Sequence, residues 1–339
     1  MDIFELTRAL VDIESVTGNE ERVGQFLYDY LAPLAARFGG RVERMDVEPS
    51  RFDVFAQWGE RLMVTLSTHM DTVPPSFASR EDADRIWGRG ACDAKGIIAS
   101  MIKAVEALLE AGERGFGMLF VVGEERNSAG AYRAASTPRG SRYIVNGEPT
   151  ENKLALGCKG ALRYELTATG KMAHSAYPEL GDSAIHKLVE ALDRILRIPL
   201  PSDPLLGHST LNIGTIRGGR APNVIADEAW AEILVRLVGD SVEIRKALNN
   251  AVGTLAELRE VLELPPLHLN ALDGIDTTVV AYTTDIPAFG GHWGEPFLLG
   301  PGSIHVAHTP DEYVPKRQLV EAVEIYQNII RQLCKRESK

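Results

Sequence analysis

Histidines and carboxylates that could hold a metal ion recur in this sequence at the ends of apolar runs. In LMVTLSTHMDTVPP, residues 62–75, a β-prone segment leads straight into His69-Met70-Asp71 and then a proline-rich turn. In an extended segment a two-residue spacing points His69 and Asp71 the same way. Asp71 could then hold a hydrogen on the imidazole and fix its tautomer, the usual arrangement beside a metal-bound histidine. The plainer alternative is a loop histidine next to a turn aspartate. GRGACDAKG, residues 88–96, stands directly ahead of a helical pattern. Its glycines permit close backbone approach, and its Asp93 reads either as a site carboxylate or as an ordinary N-cap. Gly123-Glu124-Glu125 follows one apolar run and Gly147-Glu148-Pro149-Thr150 another, and the loop at 300–310 carries His305 and His308. Two histidines with three carboxylates suit a borderline ion such as zinc, which accepts nitrogen and oxygen ligands.

The elements that must position these residues alternate. Thr17-Gly18-Asn19-Glu20 has capping-box spacing, and the run from Val23 to Leu34 has helical periodicity until Gly39-Gly40. Strand-like runs at Phe52–Trp58 and Leu62–Thr68, a helix through Ile97, Met101 and Leu108, and strands at Phe116–Val122 and Arg142–Val145 follow. This alternation predicts an α/β fold, a mainly parallel sheet flanked by helices. Open sheets of this kind place ligands at strand C-terminal ends. From Ala161 the pattern changes to one-sided strands (Ala161–Ala168, Thr210–Ile216, Ala229–Leu237). Two helices accompany them, one through Ile185, Leu188, Val189, Leu192, Ile195 and Leu196, the other at about 242–258. That is an inserted α+β domain with its sheet covered on one face. A strand at Thr277–Ala281 and a helix through Leu319, Tyr326 and Leu333 resume the first pattern. The expected division is 1–157 with 268–339, and 158–267 as the insertion.

Composition narrows the function classes. The 339 residues hold 36 Lys and Arg against 47 Asp and Glu, a formal charge of −11, so no basic stripe exists to neutralise phosphates and nucleic acid is not an expected partner. No apolar run reaches the roughly 18 residues a membrane helix needs, and the acidic, interrupted N-terminus does not read as a secretory signal. Three scattered cysteines, Cys92, Cys158 and Cys334, make neither a disulfide framework nor a cysteine metal site. The expectation is a soluble cytoplasmic protein.

THMDTVPP, GRGACDAKG, GEE, GEPT and AHTPDEY, in this order, resemble the co-catalytic di-zinc amidohydrolases and peptidases. That family includes acetylornithine deacetylase, succinyl-diaminopimelate desuccinylase, aminoacylase-1 and glutamate carboxypeptidase. The likeness spans essentially the whole chain and is nearest to the acetylornithine deacetylase-like members. It implies two divalent ions, zinc or cobalt, with His69 and Glu148 on one, Glu125 and His308 on the other, and Asp93 bridging. It makes Glu124 the general base for a metal-activated water, Asp71 the partner of His69, and His308 rather than His305 the C-terminal ligand. It also implies a cis peptide between Asp93 and Ala94. In the insertion, a lid and dimerisation domain, His174 resembles the histidine that stabilises the oxyanion. Asn223, Arg236 and Thr284 resemble substrate contacts, and Arg236 would clamp an α-carboxylate, which a guanidinium fork fits. The implied activity is hydrolysis of an N-acyl L-amino acid in a homodimer. Dipeptidase, carboxypeptidase or succinyl-diaminopimelate desuccinylase activity is the alternative. A metal-free binding relative, and a flavodoxin-like domain with surface acids, are further readings. Arg126, where relatives often carry an acid, and Asp53, where many carry asparagine, depart from the pattern.

Overall fold

Burial on both faces marks where the central strands lie. Arg51–Trp58, Val64–His69, Phe116–Val121 and Tyr143–Asn146 are buried along their whole length, as only a sheet covered on both faces allows. The structure is a computed structural model describing residues 1–336. In it these strands belong to a six-stranded sheet, ordered Gly40–Glu48, Arg51–Trp58, Phe116–Val121, Val64–His69, Tyr143–Asn146, Glu295–Leu298. The last four are mutually parallel, and the Gly40–Glu48/Arg51–Trp58 hairpin joins them antiparallel. One face packs on the helices Glu21–Phe38, Gly96–Glu110 and Lys316–Lys335 through Leu27, Leu31, Ile97, Met101, Tyr326 and Ile330. The other packs on Ala131, Ala134, Phe289 and Trp293. Because Val64–His69, Phe116–Val121 and Tyr143–Asn146 run the same way, the segments that follow them emerge at one edge of the sheet.

The chain divides into two compact units. One holds Met1–Leu156, Leu269–Thr278 and the residues from Thr284 on, and the other holds Gly157–His268 with Val279–Thr283. The second unit is an antiparallel sheet, ordered Thr210–Gly218, Glu228–Leu237, Gly160–Thr169, Glu257–Leu264. Its buried side chains, among them Leu162, Tyr164, Leu166, Ile233 and Val235, pack on Leu188, Leu192 and Leu248 of the helices Ala184–Leu196 and Val242–Val252. Alternation along Glu228–Leu237 is strict, as one-sided cover requires.

Several local expectations fail for identifiable reasons. The helix expected from 242 to about 258 stops at Val252, and Glu257–Leu264 is instead an edge strand paired with Gly160–Thr169. Of the apolar positions on Ala184–Leu196, Ile185, Val189 and Leu196 are exposed, because the stripe is wider than one sheet face can cover. Thr17 caps nothing: the helix begins at Glu21 with no side-chain cap. The capping box is at Asp2 and Glu5, ahead of the helix Ile3–Val11.

Gly130 tests the packing at one strand end. A Cβ there would lie 2.3 Å from Asp53 Oδ1 and 2.6 and 2.7 Å from the Val122 backbone nitrogen and oxygen, none of which can step aside. Gly130→Ala should cost about 1–3 kcal/mol and lower the thermal midpoint. An unchanged midpoint would mean that this junction is loosely packed.

Candidate active site

His69 ends the strand Val64–His69 and is buried. Its Nδ1 lies 3.0 Å from the carbonyl oxygen of Asp71 and 3.5 Å from Asp71 Oδ1, so the backbone is the nearer partner. With Nδ1 held by that carbonyl, the ring meets Asp93 Oδ1 through Nε2 at 2.9 Å, the nitrogen that would offer its electron pair to an ion. The Asp71 carboxylate does more than face His69. Its Oδ1 accepts the Glu124 amide (3.1 Å), and its Oδ2 accepts the Glu125 amide (3.3 Å) and the Thr17 hydroxyl (2.7 Å). Thr17 therefore serves the site rather than a helix end.

Asp93 is not an N-cap. It lies in the turn Ala91–Lys95 with non-helical torsions, and the Asp93–Ala94 peptide is cis, as expected. Its carboxylate reaches both histidines, with His308 Nε2 3.3 Å from Oδ2. The same nitrogen of His308 is 2.9 Å from Glu125 Oε1. His308 holds a left-handed backbone (φ 63°), and His305 is exposed. Glu148, after the strand Tyr143–Asn146, completes the cluster. Ligand atoms of His69, Asp93 and Glu148, and of Asp93, Glu125 and His308, lie within 4.8 Å of one another in each group. The five residues expected to converge are thus brought together around one shared aspartate.

Electrostatics at this edge are dominated by buried acids. Burial, then the neighbouring Glu124, pushes Glu148 well above the usual carboxylate range, and its Oε1 has no hydrogen-bond partner. Burial also pushes Glu124 well up, with Asp285, Glu125 and Asp93 adding to the effect. Glu125 is raised by burial too. Burial alone would raise Asp93, but His308 and His69 pull it below its ordinary value. Burial alone would lower His69, but Asp71 and Asp93 reverse this and hold it well above. His308 is pushed up to about 10 by Asp93 and Glu125. An orphaned carboxylate oxygen and imidazole nitrogens turned to carboxylates are a donor set that fits divalent ions.

The remaining expected residues lie apart from this cluster in the chain. Thr284 is buried and its hydroxyl accepts the Ile286 amide at 3.2 Å. In the second unit, His174 and Asn223 are exposed neighbours: the Ser175 amide donates to the Asn223 carbonyl (3.0 Å), and His174 pairs with Val224. Arg236 is half-buried on Glu228–Leu237 and forms no ion pair among the described residues. Burial lowers its pKa. Arg126 is exposed. Asp53 is fully buried, and its Oδ1 accepts the Val122 amide at 3.0 Å. Burial holds it well above the usual range, with Asp285 adding to the shift. Asp285, in the polar segment Thr283-Thr284-Asp285 from which only Thr284 is an expected substrate contact, is fully buried and pushed up to about 7 by that burial. No motif marks it, since it opens the short turn Ile286–Phe289 and is brought near the acids only by the fold.

Comparison with known proteins agrees with this picture. The pattern of peptidase family M20/M25/M40 matches residues 65–332. A peptidase M20 domain-containing protein of Schizosaccharomyces pombe is 39% identical, over 97% of this chain and 84% of its own length. A probable carboxypeptidase of Aspergillus terreus is 37% identical, over 95% and 84%. Among solved structures, a tripeptidase from Staphylococcus aureus superposes with a TM-score of 0.81 at 22% identity, over 97% of this chain and 98% of its own. A metallo-carboxypeptidase from Sulfolobus solfataricus gives 0.80 at 15%, over 98% and 99%. Sheet, strand-end acids and relatives together define a metallo-hydrolase. The chain belongs to peptidase family M20/M25/M40.

His308 offers a direct check on the electrostatics. An unfolded histidine titrates near 6.5, whereas in the folded protein Asp93 and Glu125 push His308 up to about 10. Its stabilising contribution is therefore complete below about pH 6.5 and is lost as pH rises toward 10. NMR titration of the metal-free protein should find this raised imidazole, and Glu125→Gln should bring it down. An ordinary value in the wild type would contradict the observed contacts.

Proposed function

We propose that this protein hydrolyses an amide whose nitrogen belongs to an amino acid with a free α-carboxylate, using two divalent ions, zinc or cobalt. The observation that carries this is the pair of ligand groups sharing Asp93, with Glu148 Oε1 buried and unpartnered. His69 and Glu148 would hold one ion, Glu125 and His308 the other, and Asp93 both. Bound there, the ions would supply Lewis acidity to a water and to the substrate carbonyl.

The chain's own groups do the rest. Glu124 takes a proton from the attacking water on its carboxylate and returns it to the leaving nitrogen, and the buried setting that raises its pKa suits both tasks. Asp71 fixes the His69 tautomer and, through the amides of Glu124 and Glu125, the position of the base. His174, Asn223 and Arg236 serve the substrate. The first donates to the developing oxyanion, and Arg236 pairs with the α-carboxylate, a role supported by its half-buried place on Glu228–Leu237 with no ion pair among the described residues. Thr284 is a further substrate contact in this reading.

An acetyl group and a peptide chain are alternative acyl partners for the same bond. An N-acetyl amino acid, such as acetylornithine, and a peptide cleaved at its last residue both release a free amino acid. The names of the relatives, carboxypeptidase and tripeptidase, favour a peptidyl acyl group for this chain. A panel of N-acetyl amino acids, N-succinyl-diaminopimelate, dipeptides, tripeptides and their C-terminal amides, assayed with zinc and with cobalt, decides between them. Every good substrate should fail as its amide, and Arg236→Gln should abolish that discrimination. Glu124→Gln should bind metal and lose at least about a hundredfold in kcat. Turnover by the metal-free protein, or equal turnover of the amides, would sink the proposal.

Dimerisation through the inserted unit belongs to the same reading, as does a cytoplasmic setting. No helix among the described residues is long and apolar enough to cross a membrane. Thr210–Gly218 is an edge strand with outward Ile216 exposed, and Ile185, Val189 and Leu196 form an exposed apolar stripe on the helix Ala184–Leu196. Unpaired edges and apolar stripes are pairing surfaces. If His174 acts on a partner's substrate, mixing His174→Ala chains with Glu124→Gln chains should restore activity to about a quarter of wild type, since half the dimers carry one intact site. No recovery after verified exchange would place His174 in the service of its own chain.

A further inference from the structure

Glu312 has no part in the chemistry above, yet it is 1% exposed at the end of the C-terminal motif that carries His308. Its Oε1 accepts the backbone amides of both Cys92 and Asp93, each at 3.2 Å, and its Oε2 lies 2.5 Å from Nη1 of Arg89. Among the described residues these two amides have no other acceptor, and a buried N–H without one is costly. Arg89, 3% exposed, is held in turn. Its Nε donates to the Pro75 carbonyl at 3.2 Å, and its guanidinium lies 5.0 Å from the centre of the Phe77 ring. The Gly88 amide donates to the Glu312 carbonyl at 3.1 Å, and Tyr313–Pro315 pairs antiparallel with Arg85–Trp87. Three segments are thereby tied at one buried carboxylate: the turn after His69, the turn bearing Asp93, and the loop bearing His308.

We propose that Glu312 is a positioning residue, which by accepting the Cys92 and Asp93 amides sets the Asp93 carboxylate in register with His308. Arg89 fixes the second oxygen of Glu312 and so aims the first. Asp93 must meet two imidazoles on opposite oxygens; its turn is closed by the Lys95 amide on the Gly90 carbonyl at 2.7 Å, but the Cys92 and Asp93 amides inside it are held by Glu312. This inference rests on the two-ion reading above.

The test separates hydrogen-bond acceptance from ion pairing. Replacing both members of a buried pair avoids leaving one charge uncompensated. Arg89→Met/Glu312→Gln keeps an acceptor for the two amides, whereas Arg89→Met/Glu312→Leu keeps none. Metal-free proteins are titrated with cobalt(II), read by visible absorption, alongside thermal midpoints and kcat and KM on the best panel substrate. The glutamine double variant should bind cobalt within about threefold of wild type. The leucine double variant, with a similar midpoint, should bind at least about tenfold more weakly and lose kcat with KM held, the usual size of effect for groups that orient ligands. If the leucine variant does not fold, Glu312→Asp keeps the charge but cannot reach both amides, and it should show the same loss. Equal cobalt binding by the two double variants, or wild-type affinity in Glu312→Asp, would overturn the inference. Wild-type protein that binds no cobalt would instead overturn the two-ion reading itself.

Discussion

Asp71, Asp93, Glu124, Glu125, Glu148 and Asp285 crowd one edge of a buried sheet, with His69 and His308 among them and the buried Lys95 ammonium acting on Asp71. Such a set cannot keep full charge away from water without a cation. In the protein alone burial shifts Glu124 and Glu148, and Asp93 shifts the two imidazoles, toward holding their protons. Divalent ions would replace those protons, which links metal binding to pH. The fold makes this excess unavoidable, since three parallel strands deliver their following acids to the same edge.

What keeps that edge from collapsing is a surrounding layer of ordinary hydrogen bonds. Asp71 spends both oxygens on the amides of Glu124 and Glu125 and on Thr17. Thr150 accepts the Gly300 amide, joining the turn after Glu148 to the C-terminal loop. Cys92 contributes packing, with its thiol toward the Ser303 carbonyl at 3.3 Å and burial pushing its pKa up. It is inert filler between two loops, not a nucleophile.

Much of this was legible from residue types and spacing. The buried strands read correctly because short runs rich in apolar and β-branched residues leave few options, and the five ligand-type residues stood out because acids seldom follow such runs repeatedly. The parts that were missed depend on distant partners. Glu257–Leu264 has no strong pattern of its own and becomes a strand by pairing with Gly160–Thr169. Thr17 carried a helix-cap signature, and its hydroxyl went to an acid 54 residues away instead. Asp53 looked like an unexplained substitution, but in the structure it holds the Val122 amide at the end of the strand that leads to Glu124. Asp285 stands beside Thr284 in a polar segment, and only tertiary proximity reveals its place among the acids.

The long reach between Arg89 and Glu312, 223 residues apart in sequence, has a consequence for how the chain acquires its structure. Contacts of such separation form late, because closing a large loop costs entropy before it gains anything. The sheet of the second unit, by contrast, is built within Gly157–His268 and can be complete while the last seventy residues are still being synthesised. The group formed by Asp93, Glu125 and His308 cannot be complete until His308 has arrived, so the insertion can be built first and this edge last. A cell would then never hold a half-made chain with a working hydrolytic centre.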